Sequence, residues 1–295
     1  MDAERRYGVG MNNDQPVIQH ISDTARWAAV YRALETERPD GLFRDPYARR
    51  LAGERGAQIA AALPFHDQHS WSWVMRTYLF DRLITEQIED GLDVVVNLAA
   101  GLDMRPYRMS LPESLTWVEV DFPGILEYKE QIFGSEKPRC SLERVRMDLA
   151  DMDARRRLFE RLGRKASKGL VLSEGLIIYL SAEQAGVLAK DLFEAGVFQR
   201  WVLDIVSPGL LQMLLENTDS EFGEGVAKLK FAPENGPDFF KPFGWNTVSV
   251  NEMGKTAARL KRLPPELEEP IAAMPDDPTR MGAIPWAAVC LLGRK

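Results

Sequence analysis

The stretch 93–105, DVVVNLAAGLDMR, constrains the fold of this chain more than any other. Its opening valines, Val94, Val95 and Val96, form a β-branched run suited to a strand buried on both faces. The run gives way to Asn97-Leu98-Ala99-Ala100-Gly101, whose small side chains let a ligand approach the backbone. A strand that empties into small residues before a helix start is the layout of a nucleotide-binding turn in an α/β sheet. The dinucleotide pattern GxGxxG is absent, since Gly101 is the only glycine of the turn. Asp121, twenty residues after Gly101, closes a second strand-like run, Thr116-Trp117-Val118-Glu119-Val120. A carboxylate there suits both hydroxyls of a ribose lying across the strand ends, which predicts an adenosyl ligand without a pyrophosphate. The competing reading is a packing turn followed by an aspartate that caps the next helix, and one residue can do both.

Around this stretch the chain divides by pattern. Residues 1–20 are polar and unpatterned and read as a mobile arm. A helix starts at Ser22-Asp23-Thr24, with Trp27, Val30, Tyr31 and Leu34 on its apolar face, and Pro39-Asp40-Gly41 ends it. Asp45-Pro46 marks a second start, and a longer helix is expected over Ser70–Glu89 with Trp71, Val74, Met75, Tyr78 and Leu79 facing inward. From residue 93 strands and helices alternate. Strands are expected at 93–98, 116–121, 142–147, 169–174 and 200–206, with Ser181-x-x-Gln184 as a capping box. Further strands are expected at 245–250 and 286–292, a short helix at 210–216, a helix at 252–262 and a proline-rich loop over 263–285. The organisation this predicts is a helical arm and lid over residues 1–92, then an α/β domain over 93–295 with an insertion at about 208–240. Its sheet is doubly wound and mostly parallel, with a ligand at the carboxyl ends of the strands.

Charge and composition narrow the partners. A net charge of −7 argues against a general nucleic-acid binder. Cys140 and Cys290, the two cysteines of the chain, make neither a disulfide framework nor a metal cluster, which fits a reducing cytoplasm. No HExxH motif is present, so no metal site is expected, and no apolar run is long enough to span a bilayer.

Several short runs together resemble the leucine carboxyl methyltransferase family, in its bacterial small-molecule branch. They are Ser22-Asp23-Thr24-Ala25, Arg32-Ala33-x-Glu35-Thr36, Asp45-Pro46-Tyr47-Ala48, Arg76-Thr77, the run 96–105, Glu119-Val120-Asp121-Phe122-Pro123, Asp148-Leu149 and Glu174-Gly175. The resemblance covers nearly the whole chain and implies a Rossmann-like methyltransferase sheet using S-adenosyl-L-methionine, with S-adenosyl-L-homocysteine as product. It also implies roles. Arg76 pairs with the methionyl carboxylate, Ala99 and Gly101 line the turn, and Asp121 holds the ribose. Asp148 accepts from the adenine amino group, the backbone of Leu149 bonds the ring, and Glu174 meets the ammonium. The sequence departs from the family at Ala99, where glycine is usual; a methyl group there pushes on the cofactor or opposes a positive φ, and weakened rather than abolished binding is expected.

Each residue also has a plainer reading. Arg76 suits a surface ion pair, Asp148 a helix cap, and Tyr179 a core position as well as the substrate side. Glu174, ending Leu170-Val171-Leu172-Ser173, is costly to bury unpaired. Phe239, Phe240, Phe243 and Trp245 are expected to pack the insertion onto the sheet, and His66 and His69 to sit in a solvated loop. With no histidine after His69, the acceptor expected is a carboxylate or acidic hydroxyl of a small molecule, which needs no general base. A nicotinamide oxidoreductase is the rival enzyme class, disfavoured by the missing glycines, and a non-catalytic protein of the same fold is the third reading.

Overall fold

The computed structural model describes residue 18 and residues 20–62, 70–218, 228–275 and 282–295. Its frame is a seven-stranded sheet in the order β3-β2-β1-β4-β5-β7-β6. The strands are β1 (Val94–Leu98), β2 (Thr116–Asp121), β3 (Ser141–Arg146), β4 (Gly169–Ser173), β5 (Phe198–Val206), β6 (Trp245–Glu252) and β7 (Ala287–Arg294). The first five pair in parallel, while β7 runs antiparallel to both β5 and β6. The sheet is therefore mostly parallel, as the alternating pattern predicts, and all seven strands lie within two residues of the expected spans.

The valine run explains why β1 is central. Val94, Val96 and Leu98 enter one hydrophobic cluster and Val95 the cluster on the opposite face, as a two-residue side-chain period requires. The same alternation recurs in β4, with Val171 on the first face and Leu170 and Leu172 on the second. On the first face lie α6 (Met152–Gly163) and α7 (Ala182–Glu194); on the second lie α3 (Ser70–Glu89) and α9 (Met253–Arg259). Helices α1 (Ile21–Glu37) and α2 (Ala48–Ala62) pack on each other, and beside α5 (Pro123–Phe133), in a third cluster with the short helix α4 (Arg105–Arg108). The other α-helices among the described residues are α8 (Pro208–Thr218) and α10 (Pro265–Ala272). The capping box of α7 is present, with Gln184 N–H donating to Ser181 Oγ and Ser181 N–H to Gln184 Oε1.

Three expectations are corrected. Leu34 is exposed, because α1 is buried through Trp27, Val30 and Tyr31 against two different neighbours and its remaining side turns to solvent. Glu35 is buried instead, accepting from Leu42 N–H at 2.7 Å and paired with Arg262. The loop expected over 263–285 contains α10, which tolerates Pro265 in its first turn and carries Pro270 inside. Ile18, counted with the arm, is fully buried against Trp27, Tyr31 and Ile59, whereas the rest of residues 1–17 and the histidines at 66 and 69 lie outside the described residues. Phe240 and Trp245 do pack onto the sheet, each with its ring against Trp201 of β5.

Candidate active site

At the carboxyl ends of β1, β2, β4 and β5 a cavity of about 870 Å³ opens. Ligand pockets run to roughly 300–1,000 Å³, so this one is of a size to take a cofactor. Arg76, Ala99, Gly101, Asp121, Glu174 and Tyr179 all line it. Asp148 and Leu149 do not: Asp148 is exposed and accepts from Ala150 N–H at 2.8 Å, and the carbonyl of Leu149 accepts from Arg155.

The turn after β1 has the shape the small residues imply. Gly101 sits at φ 49° and Ala99 at φ 54°, in the left-handed region that L-residues with a Cβ avoid. The methyl of Ala99 therefore does not forbid the turn; it is carried there at a cost. Asp121 closes the turn from the next strand, its Oδ2 accepting from Gly101 N–H at 2.6 Å and its Oδ1 from Phe122 N–H at 2.7 Å. Burial pushes this carboxyl above its ordinary range, against those two donors. Asp121 ties the turn to β2 rather than capping α5, which has no side-chain cap, and it keeps lone pairs for the cavity. Phe122, beside it, lines the cavity with 45% of its surface exposed.

On the other side of β1 the charges form one chain of pairs. Arg105, with only 4% of its side chain exposed, donates to Asp81 Oδ1 at 2.6 Å, Asp103 Oδ2 at 3.0 Å and Glu174 Oε2 at 2.8 Å. Arg108 holds Asp81 from α4, and Asn97 donates to Asp103 at 2.8 Å. Glu174 is thus not buried unpaired: Arg105 takes one oxygen and Arg76 Nε lies 3.3 Å from the other. Arg76 comes from α3, stacks over Trp73 at 4.7 Å, and its Nη1 lies 3.4 Å from Asp204 of β5. Asp204 also accepts from Gly175 N–H at 2.7 Å, and burial raises its pKa despite Arg76. Tyr179 faces the same space, shares a hydrogen bond with Thr24, and is pushed further toward its neutral form by burial.

Sequence reasoning missed Asp81, Asp204 and Glu252, and gave no role to Asp103 or Arg105. Asp204 carried a usable signal, a lone carboxylate late in a buried strand, as at Glu174. The motif residues Arg32 and Thr36 prove to be ties: Arg32 binds Asp45 at 2.9 Å and the carbonyl of Leu102 at 2.7 Å, and Thr36 Oγ1 accepts from Asp45 N–H. They hold α1 against the turn after β1.

These residues suit a cofactor of one particular kind. Among the described residues five carboxylates line the cavity against three guanidinium groups, an excess of negative charge that complements a cation. Arg76, with its Nε paired to Glu174 and its Nη1 to Asp204, brings a guanidinium to the wall that a ligand carboxylate can share. A ligand with a ribose, a cationic centre and an amino-acid end matches Asp121, the carboxylate excess and Arg76 in turn. Among the described residues no cluster of three or more histidines, cysteines or carboxylates could hold a metal ion, and no helix is long and apolar enough to cross a membrane.

The strand order with its antiparallel β7, and a carboxylate at the tip of β2 beside a small-residue turn, define a Rossmann-like methyltransferase fold. Comparison with known proteins agrees. The chain belongs to the leucine carboxyl methyltransferase family, whose model matches residues 25–193. A Parafrankia protein with the provisional name S-adenosyl-L-methionine-dependent methyltransferase is 31% identical over 265 residues, 85% of this chain and 84% of its own. One from Saccharopolyspora erythraea, provisionally named alike, is 32% identical over 272 residues, 85% of this chain and 92% of its own. Among solved structures, a DUF574 family protein from Streptomyces avermitilis superposes with a TM-score of 0.57 at 12% identity, over 92% of this chain and 97% of that one. A protein from Thermobifida fusca, provisionally named a methyltransferase, gives 0.53 at 17% identity, over 96% and 97%. At these identities the structures speak for the fold.

Proposed function

We propose that the protein transfers a methyl group from S-adenosyl-L-methionine to an oxygen of a small molecule, either a carboxylate or an acidic hydroxyl. The bound cofactor supplies a sulfonium methyl group, which passes to the acceptor oxygen as the carbon–sulfur bond breaks. The rest falls to this chain's residues. Asp121 accepts from the ribose hydroxyls, Arg76 meets the methionyl carboxylate and Glu174 the ammonium. By the family resemblance Asp148 and the backbone of Leu149 would hold the adenine, although neither lines the cavity. Arg105 fixes Glu174, and Asp204 fixes Arg76, so both ends of the amino-acid clamp are oriented before binding. The described parts of residues 1–92 and of the 208–240 insertion contribute Trp27, Trp71 and Met213 to the walls, in keeping with a role in selecting the acceptor and excluding water.

The observation that carries the choice of oxygen is the make-up of the lining. Among the described residues facing the cavity there is no histidine, lysine or cysteine, Tyr179 is held neutral by burial, and the carboxylates Asp103, Asp121, Glu174, Asp204 and Glu252 are each engaged by backbone N–H or guanidinium donors. An acceptor that is already ionised needs no proton removed. The test is incubation of the purified protein with methyl-labelled cofactor and panels of carboxylic acids and phenols. Label in base-labile methyl esters or in ethers of acidic hydroxyls is expected. Label confined to nitrogen, or to weakly acidic phenols with a rate that needs His66 or His69, overturns the reading.

A further inference from the structure

The cavity does not end at Arg76 and Asp204. It continues past β5 to the sheet edge where β7 lies between β5 and β6. Because β7 runs antiparallel, its first residues meet the last of both neighbours: Val206 pairs with Ala287, and Glu252 with Ala288. Over that edge sit Met213 and Leu214 of α8, Leu267 and Ile271 of α10, and Ile284 and Trp286 from the approach to β7. From residue 206 onward, Glu252 is the one ionisable side chain among the described residues of the lining. Its carboxylate is already committed, accepting the N–H groups of Gly254 and Lys255 at the start of α9.

We infer that this apolar half holds the body of the methyl acceptor, and that the acceptor is an amphiphile. It carries a single acidic oxygen at the reacting end and an uncharged aliphatic or aromatic body with no second anionic group. The inference rests on the proposed oxygen methylation and names its substrate class. The body lies against carbon on several sides, so each methylene buried raises affinity about fourfold. A second carboxylate on the body meets Glu252, whose cationic neighbour, Lys255, stands outside the described lining, so the contact is like-charge and of low solvation. Hydrophilic di-acids are therefore excluded, although they satisfy the chemistry at the reacting end.

The test is calorimetric binding to the full chain saturated with S-adenosyl-L-homocysteine, using butanoate, octanoate and dodecanoate below their micelle concentrations, with dodecanedioate and octan-1-ol as controls. Affinity is expected to climb about fourfold per methylene from butanoate to octanoate. Dodecanedioate is expected to bind about tenfold or more weakly than dodecanoate. Met213→Glu and Leu267→Glu, both at half-buried helix positions, are each expected to weaken octanoate about tenfold while S-adenosyl-L-homocysteine affinity stays unchanged. Affinity that is flat along the series, or a di-acid that binds as tightly as the mono-acid, overturns the inference. Should short hydrophilic acids be methylated without chain-length dependence, the inference fails and oxygen methylation stands. Should octan-1-ol bind as octanoate does with the same length dependence, the apolar body stands and the acidic-oxygen reading fails.

Discussion

Replacing Ala99 with glycine should make the protein more stable, an unusual outcome for a substitution beside a binding site. Ala99 is held at φ 54° by the turn between β1 and α4. For an L-residue with a Cβ, the left-handed region costs about 1–2 kcal/mol. Glycine removes that cost but gives the unfolded chain extra freedom worth roughly 0.4–1 kcal/mol. The difference leaves a gain of about 0.5–1 kcal/mol. For a chain of this size that corresponds to a rise in Tm of roughly 1–4 °C. Ala99→Val should fall by more than glycine gains, because a β-branched side chain tolerates positive φ least. Differential scanning fluorimetry of the two variants without ligand reads both effects. The sequence-based expectation that a methyl group at 99 weakens the cofactor adds a further result: S-adenosyl-L-homocysteine should bind Ala99→Gly at least as tightly as wild type. A drop in Tm for Ala99→Gly with a tolerated Ala99→Val refutes the left-handed assignment and the reasoning built on it.

The charge chain makes further outcomes calculable. Arg76→Met should weaken S-adenosyl-L-homocysteine by about 10- to 100-fold, the range of a charge-assisted hydrogen bond, and leave adenosine, which lacks the carboxylate, nearly unchanged by calorimetry. Asp81→Asn leaves Arg105 and Arg108 short of a buried partner and should cost about 3–5 kcal/mol in urea unfolding. Asp81 also sets a pH dependence: burial pushes its carboxyl up, but Arg108 and Arg105 outweigh that and hold it below 3.8. A lowered native pKa gives stability that is present above the unfolded value and is lost as pH falls through the native one. Below the ordinary carboxylate range, the stability of Asp81→Asn should therefore fall less steeply than that of wild type.

What could be read from the chain follows from how local each signal is. The valines of β1, the small residues after it and Asp121 announce themselves within thirty residues, and the capping box of α7 within four. The charge chain was hidden because its members are far apart. Arg76 and Asp204 are 128 positions apart and Arg105 and Glu174 are 69, so only the sheet brings them together. The acceptor edge depends on β7 entering between β5 and β6, which no periodicity encodes. Leu34 was misjudged because the buried surface of α1 faces two neighbours, and α10 because Pro265 and Pro270 read as breakers when one of them opens the helix. Asp148 and Leu149 came from resemblance alone, and they lie outside the lining.

The central claim is that Asp121, at the tip of β2, grips the sugar of an adenosyl cofactor. Titration of S-adenosyl-L-homocysteine into wild type and Asp121→Ala by calorimetry tests it most directly, with the Tm of each recorded to show that both are folded. Micromolar-range binding to wild type and a loss of about 10- to 100-fold in the variant are expected from a carboxylate accepting two ribose hydroxyls. Equal affinity in the two proteins, or no heat with wild type, contradicts the claim.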